Sequence, residues 1–295
     1  MKVWEPDFPL IERLLAGSRY RRAHRQFFDM PYWGRNTRTG KFGLQQRKGY
    51  HGRLGDLTNK HAGERCFIVA NGPSLTDLDL EKLKGEVTIG SNGAYKLFGE
   101  LGFPLTYYTM EDARQIEDRR KALPDVRGST RIFPLRSSYC IKPREDTIFC
   151  NLEKESYPTH RRYKELYPLF SQDFASAVYL GSTVTYFNLQ LAFHLGCDPV
   201  YLIGLDHDYG EIVKKLPPGK VKITPEVYEM IKDSHFQAGY HQIGGYIGVP
   251  YVVYQEQGFR KAKLVYESRG RNVYNASSYS KLDVFERETY ELLFE

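Results

Sequence analysis

The sequence predicts an α/β fold built on a mostly parallel sheet, and three observations support this fold class. Short apolar runs recur along the chain, beginning with residues 66–70 (Cys-Phe-Ile-Val-Ala). Stretches with apolar residues at helical spacing lie between these runs. Turns rich in glycine, proline and asparagine separate the two kinds of stretch. Strands that alternate with helices pair in parallel through right-handed crossovers, so this order predicts one parallel sheet.

The composition is that of a soluble globular protein. The chain has 295 residues, of which 41% are hydrophobic and 26% are charged. No apolar run approaches the roughly 18 residues of a membrane span, and the N-terminus lacks the pattern of a signal peptide. The four cysteines are scattered without a C-x-x-C pair, so a zinc site is not expected, and Cys66 and Cys197 are expected to be buried free thiols. These features favour a cytoplasmic location.

Positive charge is concentrated at the N-terminus. Residues 1–65 hold fourteen lysines and arginines against six acids, an excess larger than the net charge of +6 for the whole chain. Residues 7–30 have the pattern of a basic amphipathic helix, and residues 31–60 that of a connecting arm. This basic N-terminal helical arm could lie on an anionic membrane surface or pack on the main domain as a solvated face. Nucleic acid is the partner we favour least.

The first predicted strand, residues 66–70, ends in the turn Asn71-Gly72-Pro73-Ser74 and leads to a predicted helix over residues 78–84. Glycine allows a ligand to approach the backbone closely, and proline suits a first helical position. A turn that feeds a helix N-terminus presents free N–H groups that suit a phosphate. An ordinary strand-to-helix turn remains the alternative, because the spacing G-x-G-x-x-G is absent.

The remaining elements follow the same alternation. Predicted strands cover residues 87–90, 106–110, 130–134, 199–205 and 272–276. Predicted helices cover residues 94–100 (with Gly102 as C-cap), 113–123, 184–195 and 255–269. Residues 136–175 are expected to be a weakly patterned insert, residues 210–260 a lid or small helical subdomain, and the tail is expected to pack back on the domain. The predicted domain boundaries are 1–62, 63–210, 211–258 and 259–295.

Polar residues follow five predicted strands, namely four of those given above and the apolar run 177–180. They are Asn71, then Asn92, then Glu111 and Asp112, then Ser182 and Thr183, and finally Asp206, His207 and Asp208. In open parallel sheets, ligands bind beyond the carboxyl ends of the strands, where the strand order reverses. The sequence therefore predicts one small-molecule site formed by these strand ends.

Three blocks of sequence resemble a known family. They are residues 63–75, which contain Asn71-Gly72-Pro73-Ser74; residues 181–185 with 200–207; and residues 270–277 with 281–285. Together they resemble the MptE-like family, named after the 6-hydroxymethylpterin pyrophosphokinase, in its polysaccharide-locus members. The resemblance covers roughly residues 60–290. The same blocks are similar to the CMP-sialic-acid-dependent sialyltransferases of bacterial lipooligosaccharide synthesis, which implies a Rossmann-like, GT-A-type domain.

The resemblance also implies roles for individual residues. Asn71 and Asn92 would hold a cytidine nucleotide, while Ser182 and Thr183 would line the donor site. Tyr209 would meet the donor phosphate, although its register is shifted relative to the family. A catalytic histidine would lie in the lid segment, as His235 or, as its rival, His241. The predicted nucleotide-binding set is Asn71, Gly72, Pro73, Ser74, Asn92, Glu111, Asp112, Ser182, Thr183, Asp206, His207 and Tyr209.

Three functions remain open at this point. The first is a glycosyltransferase of bacterial or archaeal surface-glycan synthesis with a nucleotide-activated, CMP-linked donor, a glycan or lipid-linked glycan acceptor, and no required cofactor. It would be cytoplasmic or peripheral on the inner face of the membrane. The second is a pterin-type pyrophosphokinase, in which Asp206 and Asp208 would bind Mg²⁺. The third is a non-catalytic nucleotide- or glycan-binding protein.

Overall fold

The computed structural model of the chain describes residues 32–35, 42–45, 52–153, 168–237 and 239–295. The basic helix predicted over residues 7–30 lies outside these ranges, as do residues 154–167 of the predicted insert. No helix in these ranges is long and apolar enough to cross a membrane. The described part of the predicted arm holds a short antiparallel pair, β1 (Tyr32–Arg35) and β2 (Phe42–Gln45), and one helical turn, α1 (Gly52–Gly55).

The other strands of the described ranges are β3 (Cys66–Val69), β4 (Val87–Ser91), β5 (Tyr107–Thr109), β6 (Thr130–Pro134), β7 (Thr147–Cys150), β8 (Leu152–Glu153), β9 (Val178–Tyr179), β10 (Val200–Ile203), β11 (Gly219–Lys222), β12 (Tyr246–Val249), β13 (Val273–Asn275) and β14 (Glu286–Arg287). Within the described residues, eight of them form one parallel sheet in the order β14-β13-β10-β3-β4-β5-β6-β7. The predicted α/β fold with a mostly parallel, Rossmann-like sheet is thus confirmed.

The remaining α-helices of the described ranges are α2 (Phe98–Leu101), α3 (Ala113–Arg119), α4 (Val184–Leu195), α5 (Ile212–Lys215), α6 (Pro225–Ile231) and α7 (Val252–Glu267). Helix α4 is buried along nearly all of its surface and packs against β3, β4 and α7. On the opposite face, Phe67 of β3 stacks on Phe294, so the C-terminal tail packs on the sheet as expected. Burial on both faces explains why the central strands are apolar without alternation.

The strand order reverses between β3 and β10. From β3 the chain builds outward through β4, β5, β6 and β7, and it later returns to the other side of β3 with β10. The carboxyl ends of β3 and β10 therefore lie side by side at the point of reversal, which is where open parallel sheets bind ligands. This reversal determines where the candidate site lies.

Several local predictions were wrong. No α-helix covers residues 78–84; 3₁₀ turns at Pro73–Asp77 and Leu80–Leu83 stand there instead, because Leu78 is extended and the Asp79 carboxylate caps the second turn through the Glu81 N–H at 3.2 Å. The segment predicted as helix 94–100 is divided between a 3₁₀ turn, Asn92–Leu97, and α2, although Gly102 caps it with φ 70° as expected.

Two regions are more ordered than the sequence indicated. The insert predicted over residues 136–175 contains β7, a buried strand that is only four residues long and lies at the edge of the sheet. The lid region contains an antiparallel strand pair, β11 and β12, with α6 between them in sequence. The strand pair and the short helices share an apolar cluster around Ile223, Ile231 and Val249. The predicted free thiols are confirmed, since Cys66 and Cys197 are buried and unbridged.

Candidate functional site

A cleft of about 420 Å³ lies at the carboxyl ends of β3, β4, β5 and β10, beneath the strand pair β11–β12. Its volume is within the range of small-molecule sites. Of the predicted binding and catalytic residues, these line it: Asn71, Gly72, Asn92, Glu111, Asp112, Ser182, Thr183, Asp206, His207, Tyr209, His235 and His241. Pro73 and Ser74 do not. The structure therefore brings most of the predicted set around one cavity, while their roles toward a ligand stay predictions.

The turn after β3 is tied to the turn after β10. The N–H of Gly72 donates to the carbonyl of Gly204 at 2.8 Å. The N–H of Ser74 donates to Asp206 Oδ2 at 3.0 Å, and the Ser74 hydroxyl donates to Asp206 Oδ1. Ser74, Pro73 and Asp206 therefore shape the turn. This revises the prediction for Asp206, because both of its carboxylate oxygens already accept hydrogen bonds from the protein.

Asn71 lines the cleft and carries one buried acceptor without a partner among the described residues. Its Nδ2 donates to the carbonyl of Ser91 at 3.2 Å, which orients the amide. Its Oδ1 is buried and has no hydrogen-bond partner in the part of the chain that the structure describes. Buried polar atoms are nearly always paired, so this oxygen is suited to accept a hydrogen bond from a ligand hydroxyl or amino group.

The residues predicted for a metal do not form a metal site. Asp208 forms an ion pair with Lys281 at 2.8 Å, which lowers its pKa, and accepts a hydrogen bond from Tyr279 at 3.1 Å. Asp206 is engaged by Ser74. Among the described residues, no group of three or more His, Cys, Asp or Glu is placed to hold a metal ion. Because Ser74 and Lys281 engage these two carboxylates, the donor set does not fit Mg²⁺.

Helix α4 points its N-terminus at the cleft. Thr183 caps it by accepting a hydrogen bond from the N–H of Thr185 at 3.3 Å, and both residues line the cavity with Val184. The first turn of a helix leaves N–H groups without intrahelical partners and carries the positive end of the helix dipole. The N–H groups of Thr185 and Tyr186 are bonded to Thr183, so an anionic group in the cleft would meet the remaining N–H of the first turn, at Val184, and the positive end of the helix dipole.

Strained backbone is concentrated at the same strand ends. Asn92, Ser182 and His207 have φ of 53°, 62° and 52°, and all three line the cleft. Positive φ is uncommon outside glycine, and serine adopts it less readily than asparagine or histidine. Such residues cluster at ligand sites, where the surrounding structure holds them in place. The geometry thus supports a functional site independently of side-chain chemistry.

Gln255 connects two of these strand ends and was missed by the sequence reasoning. Its Nε2 donates to the carbonyl of Ser182 at 2.9 Å, and its Oε1 accepts a hydrogen bond from the Tyr209 hydroxyl at 2.5 Å. The sequence did carry a signal for this residue, because helical spacing places the polar Gln255 on the same buried face of α7 as Phe259 and Ala262. The Tyr209 hydroxyl donates its hydrogen to Gln255. This geometry therefore does not support the predicted hydrogen bond from Tyr209 to the phosphate of the sugar donor.

Two histidines of the cleft, the half-buried His235 and the buried His241, are neutral. His235 stacks on Tyr240 at 3.8 Å between ring centroids, and its Nδ1 lies 3.2 Å from Nε2 of His241. Burial lowers the pKa of His235 well below its ordinary value and that of His241 to about 4, with the charges of Arg119 and Lys96 adding to both effects. Both rings are in the form that accepts a proton at pH 7, but they are weak bases.

Two acids at the end of β5 have different environments. Asp112 caps α3 by accepting a hydrogen bond from the N–H of Arg114 at 2.7 Å. It also forms an ion pair with Lys220 of β11 at 3.1 Å, and this ion pair links the end of β5 to the strand pair β11–β12. Glu111 lines the cleft and is half-buried. Burial and, to a smaller extent, the charge of Asp112 raise its pKa, Arg136 and Lys220 lower it, and the net pKa is about 7. Glu111 therefore exchanges protons near neutral pH.

Glu111→Gln is expected to stabilise the chain at alkaline pH. The pKa of Glu111 rises from 4.5 to about 7 on folding, so the folded chain holds the proton more tightly and stability falls as the pH rises through this window. At about 1.4 kcal/mol per pH unit, the variant should gain about 2 to 3 kcal/mol at pH 8.5 and little at pH 5. Urea denaturation at both pH values measures this, with the exposed Glu100→Gln as the matched control. An equal effect at both pH values would contradict the assignment.

Comparison with known proteins adds two findings. The profile of the family described as 6-hydroxymethylpterin diphosphokinase MptE-like matches residues 45–211. No curated protein matches the chain. Among solved structures, the MAf glycosyltransferase from Magnetospirillum magneticum AMB-1 is similar, with a TM-score of 0.52 and 15% sequence identity over 97% of this chain. The match spans 39% of that longer chain, and at this identity it shows a shared fold.

Proposed function

The chain belongs to the MptE-like family, and from this premise we propose that it is a glycosyltransferase that uses a nucleotide-activated sugar. The favoured donor is a CMP-linked, sialic-acid-like sugar, and the favoured acceptor is a glycan or lipid-linked glycan. The shared fold with a glycosyltransferase is consistent with this proposal but leaves donor and acceptor open.

The observation that carries the proposal is the pairing of two complementary features in one cleft. Asn71 Oδ1 offers an acceptor that suits a ribose hydroxyl or the amino group of a cytosine ring. The N-terminus of α4 offers the N–H of Val184 and the positive end of the helix dipole, which suit the phosphate. A nucleoside monophosphate presents donors and an anion, so it matches both features without a metal ion.

The proposed reaction needs little more from the protein. An acceptor hydroxyl attacks the anomeric carbon, the bond from that carbon to the phosphate oxygen breaks, and the electron pair leaves with the nucleotide. The N-terminus of α4, through the N–H of Val184 and the helix dipole, would stabilise the charge that develops on the phosphate. A base in the cleft must take the hydroxyl proton.

The two alternatives are supported less well. A pterin-type pyrophosphokinase fits the family description, but it would draw on ATP with Mg²⁺, and Asp206 and Asp208 are engaged with other side chains. A non-catalytic nucleotide- or glycan-binding protein would use the same cleft without turnover. Placement of the chain on the inner face of a membrane rests on the charge of residues 1–65 and is part of the proposal.

Thermal unfolding with a panel of nucleotides tests the proposal. CMP, CDP, UDP, GDP and ATP are each compared in Mg²⁺ and in EDTA. We expect CMP to raise the unfolding temperature equally in both buffers. A rise with ATP that requires Mg²⁺ would favour the pyrophosphokinase, and no rise with any nucleotide would contradict nucleotide binding altogether.

Asn71→Ala is expected to weaken CMP binding about tenfold, which corresponds to one hydrogen bond of about 1.4 kcal/mol. The substitution removes the free Oδ1 acceptor and the bond to the Ser91 carbonyl. Isothermal titration of CMP measures the affinity, with the exposed Asn272→Ala as the matched control. Equal affinities for Asn71→Ala and the unsubstituted chain would show that CMP does not contact this side chain.

A further inference from the structure

Glu111 differs from the other carboxylates of the cleft in its hydrogen bonding. Asp112 is engaged by α3 and Lys220, Asp206 by Ser74, and Asp208 by Lys281. In the part of the chain that the structure describes, no hydrogen bond or ion pair holds the carboxylate of Glu111. Its oxygens are therefore available to a ligand that enters the cleft.

The backbone at Glu111 is held in place although its carboxylate is free. The Arg136 guanidinium after β6 donates to the carbonyl oxygen of Glu111 at 3.4 Å. Asp112, the next residue, caps α3 and forms an ion pair with Lys220 of β11. The side chain thus projects from an anchored strand end, which suits a group that must meet a reacting atom.

The charged groups around Glu111 come from three elements: Asp112 from the end of β5, Arg136 from the loop after β6, and Lys220 from β11. Burial outweighs the two cations and keeps the pKa of Glu111 near 7, where a general base is most effective. The pKa of His241 is about 4, so this ring is a much weaker proton acceptor.

We propose that Glu111 is the general base that takes the proton from the acceptor hydroxyl during glycosyl transfer. This inference rests on the proposed function. As the acceptor oxygen forms its bond to the anomeric carbon, its proton passes to a carboxylate oxygen of Glu111. The bond between the anomeric carbon and the phosphate oxygen breaks, and its electron pair leaves with CMP. Glu111 then releases the proton to solvent once the product has left.

Release of CMP from CMP-N-acetylneuraminate, with water in the place of the acceptor, tests the proposal on the full chain. Glu111→Gln should lower the rate at pH 7.5 about 100-fold or more, as expected for the loss of a general base. It should still bind CMP within about threefold of the unsubstituted chain, because the substituted amide keeps the size of the side chain. Glu100→Gln, on the exposed face of α2, is the control and should leave the rate unchanged.

The pH profile separates a base from a merely structural residue. The rate of the unsubstituted chain should rise with pH and level off above about 7, and Glu111→Gln should lose this rise. The proposal would be overturned if Glu111→Gln kept a rate within about threefold of the unsubstituted chain and kept the rise of that rate with pH. If His241→Asn then lost the rate, the base would be His241. An unsubstituted chain that neither binds CMP nor releases it would overturn the proposed function and this inference together.

Discussion

Gly72→Ala is expected to abolish CMP binding and to destabilise the chain by about 2 to 4 kcal/mol. A Cβ at this position would lie 2.4 Å from Asp206 Oδ1 and 2.6 Å from the carbonyl oxygen of Gly204. Backbone atoms cannot move aside as a flexible side chain does. The turn after β3 would have to separate from the turn after β10, and this separation would displace Asn71 from the cleft.

Gly99→Ala provides the matched control for this substitution. Gly99 lies in α2, and a Cβ there would meet no atom within 4 Å. Because alanine has the higher helix propensity, this variant should be as stable as the unsubstituted chain or slightly more stable. Urea denaturation and isothermal titration of CMP measure both effects. A Gly72→Ala variant that binds CMP normally would show that the close approach of the two turns is not required.

Asp206→Ala is expected to have the second largest effect. It leaves the N–H and the hydroxyl of Ser74 without their acceptors, and Ser74 is only 4% exposed. Two buried donors without partners should cost about 2 to 4 kcal/mol in the free energy of unfolding. CMP binding should fall at least tenfold, because the turn that carries Asn71 loses its anchor.

Asp208→Ala separates this structural role from a metal-binding role. Asp208 is a partly exposed residue whose ion pair with Lys281 should contribute less than about 1 kcal/mol. If Asp206 serves to anchor the turn, Asp208→Ala should keep normal stability and normal CMP binding. If the two aspartates bound Mg²⁺ together, both variants should lose Mg²⁺-dependent binding of ATP. Denaturation and titration on the two variants therefore distinguish the two roles.

The sheet was predictable because its strands are buried on both faces. Residues such as Phe67 and Ile68 point to opposite sides, yet both are fully buried, so the strand is apolar throughout. The segment over residues 78–84 misled the prediction, because its leucines have helical spacing. The local bond from Asp79 and the extended Leu78 favour a 3₁₀ turn, a competition that apolar spacing does not reveal.

The location of the cleft was predictable, but the chemistry of its residues was less so. Polar residues at the ends of parallel strands must meet at one edge of the sheet, and this holds for Asn71, Asn92 and Glu111. Roles depend on contacts between distant parts of the chain. Ser74 and Asp206 are 132 positions apart, and the pKa of Glu111 depends on burial that the sequence does not report.

A crystal structure of the chain with CMP tests the central claim most directly. We expect the nucleotide in the cleft at the carboxyl ends of β3, β4, β5 and β10, with Asn71 Oδ1 accepting a hydrogen bond from it and its phosphate against the N-terminus of α4. Glu111 should face the space where the sugar would lie. A nucleotide bound outside the cleft, or a phosphate bridged through Mg²⁺ to Asp206 and Asp208, would contradict the account.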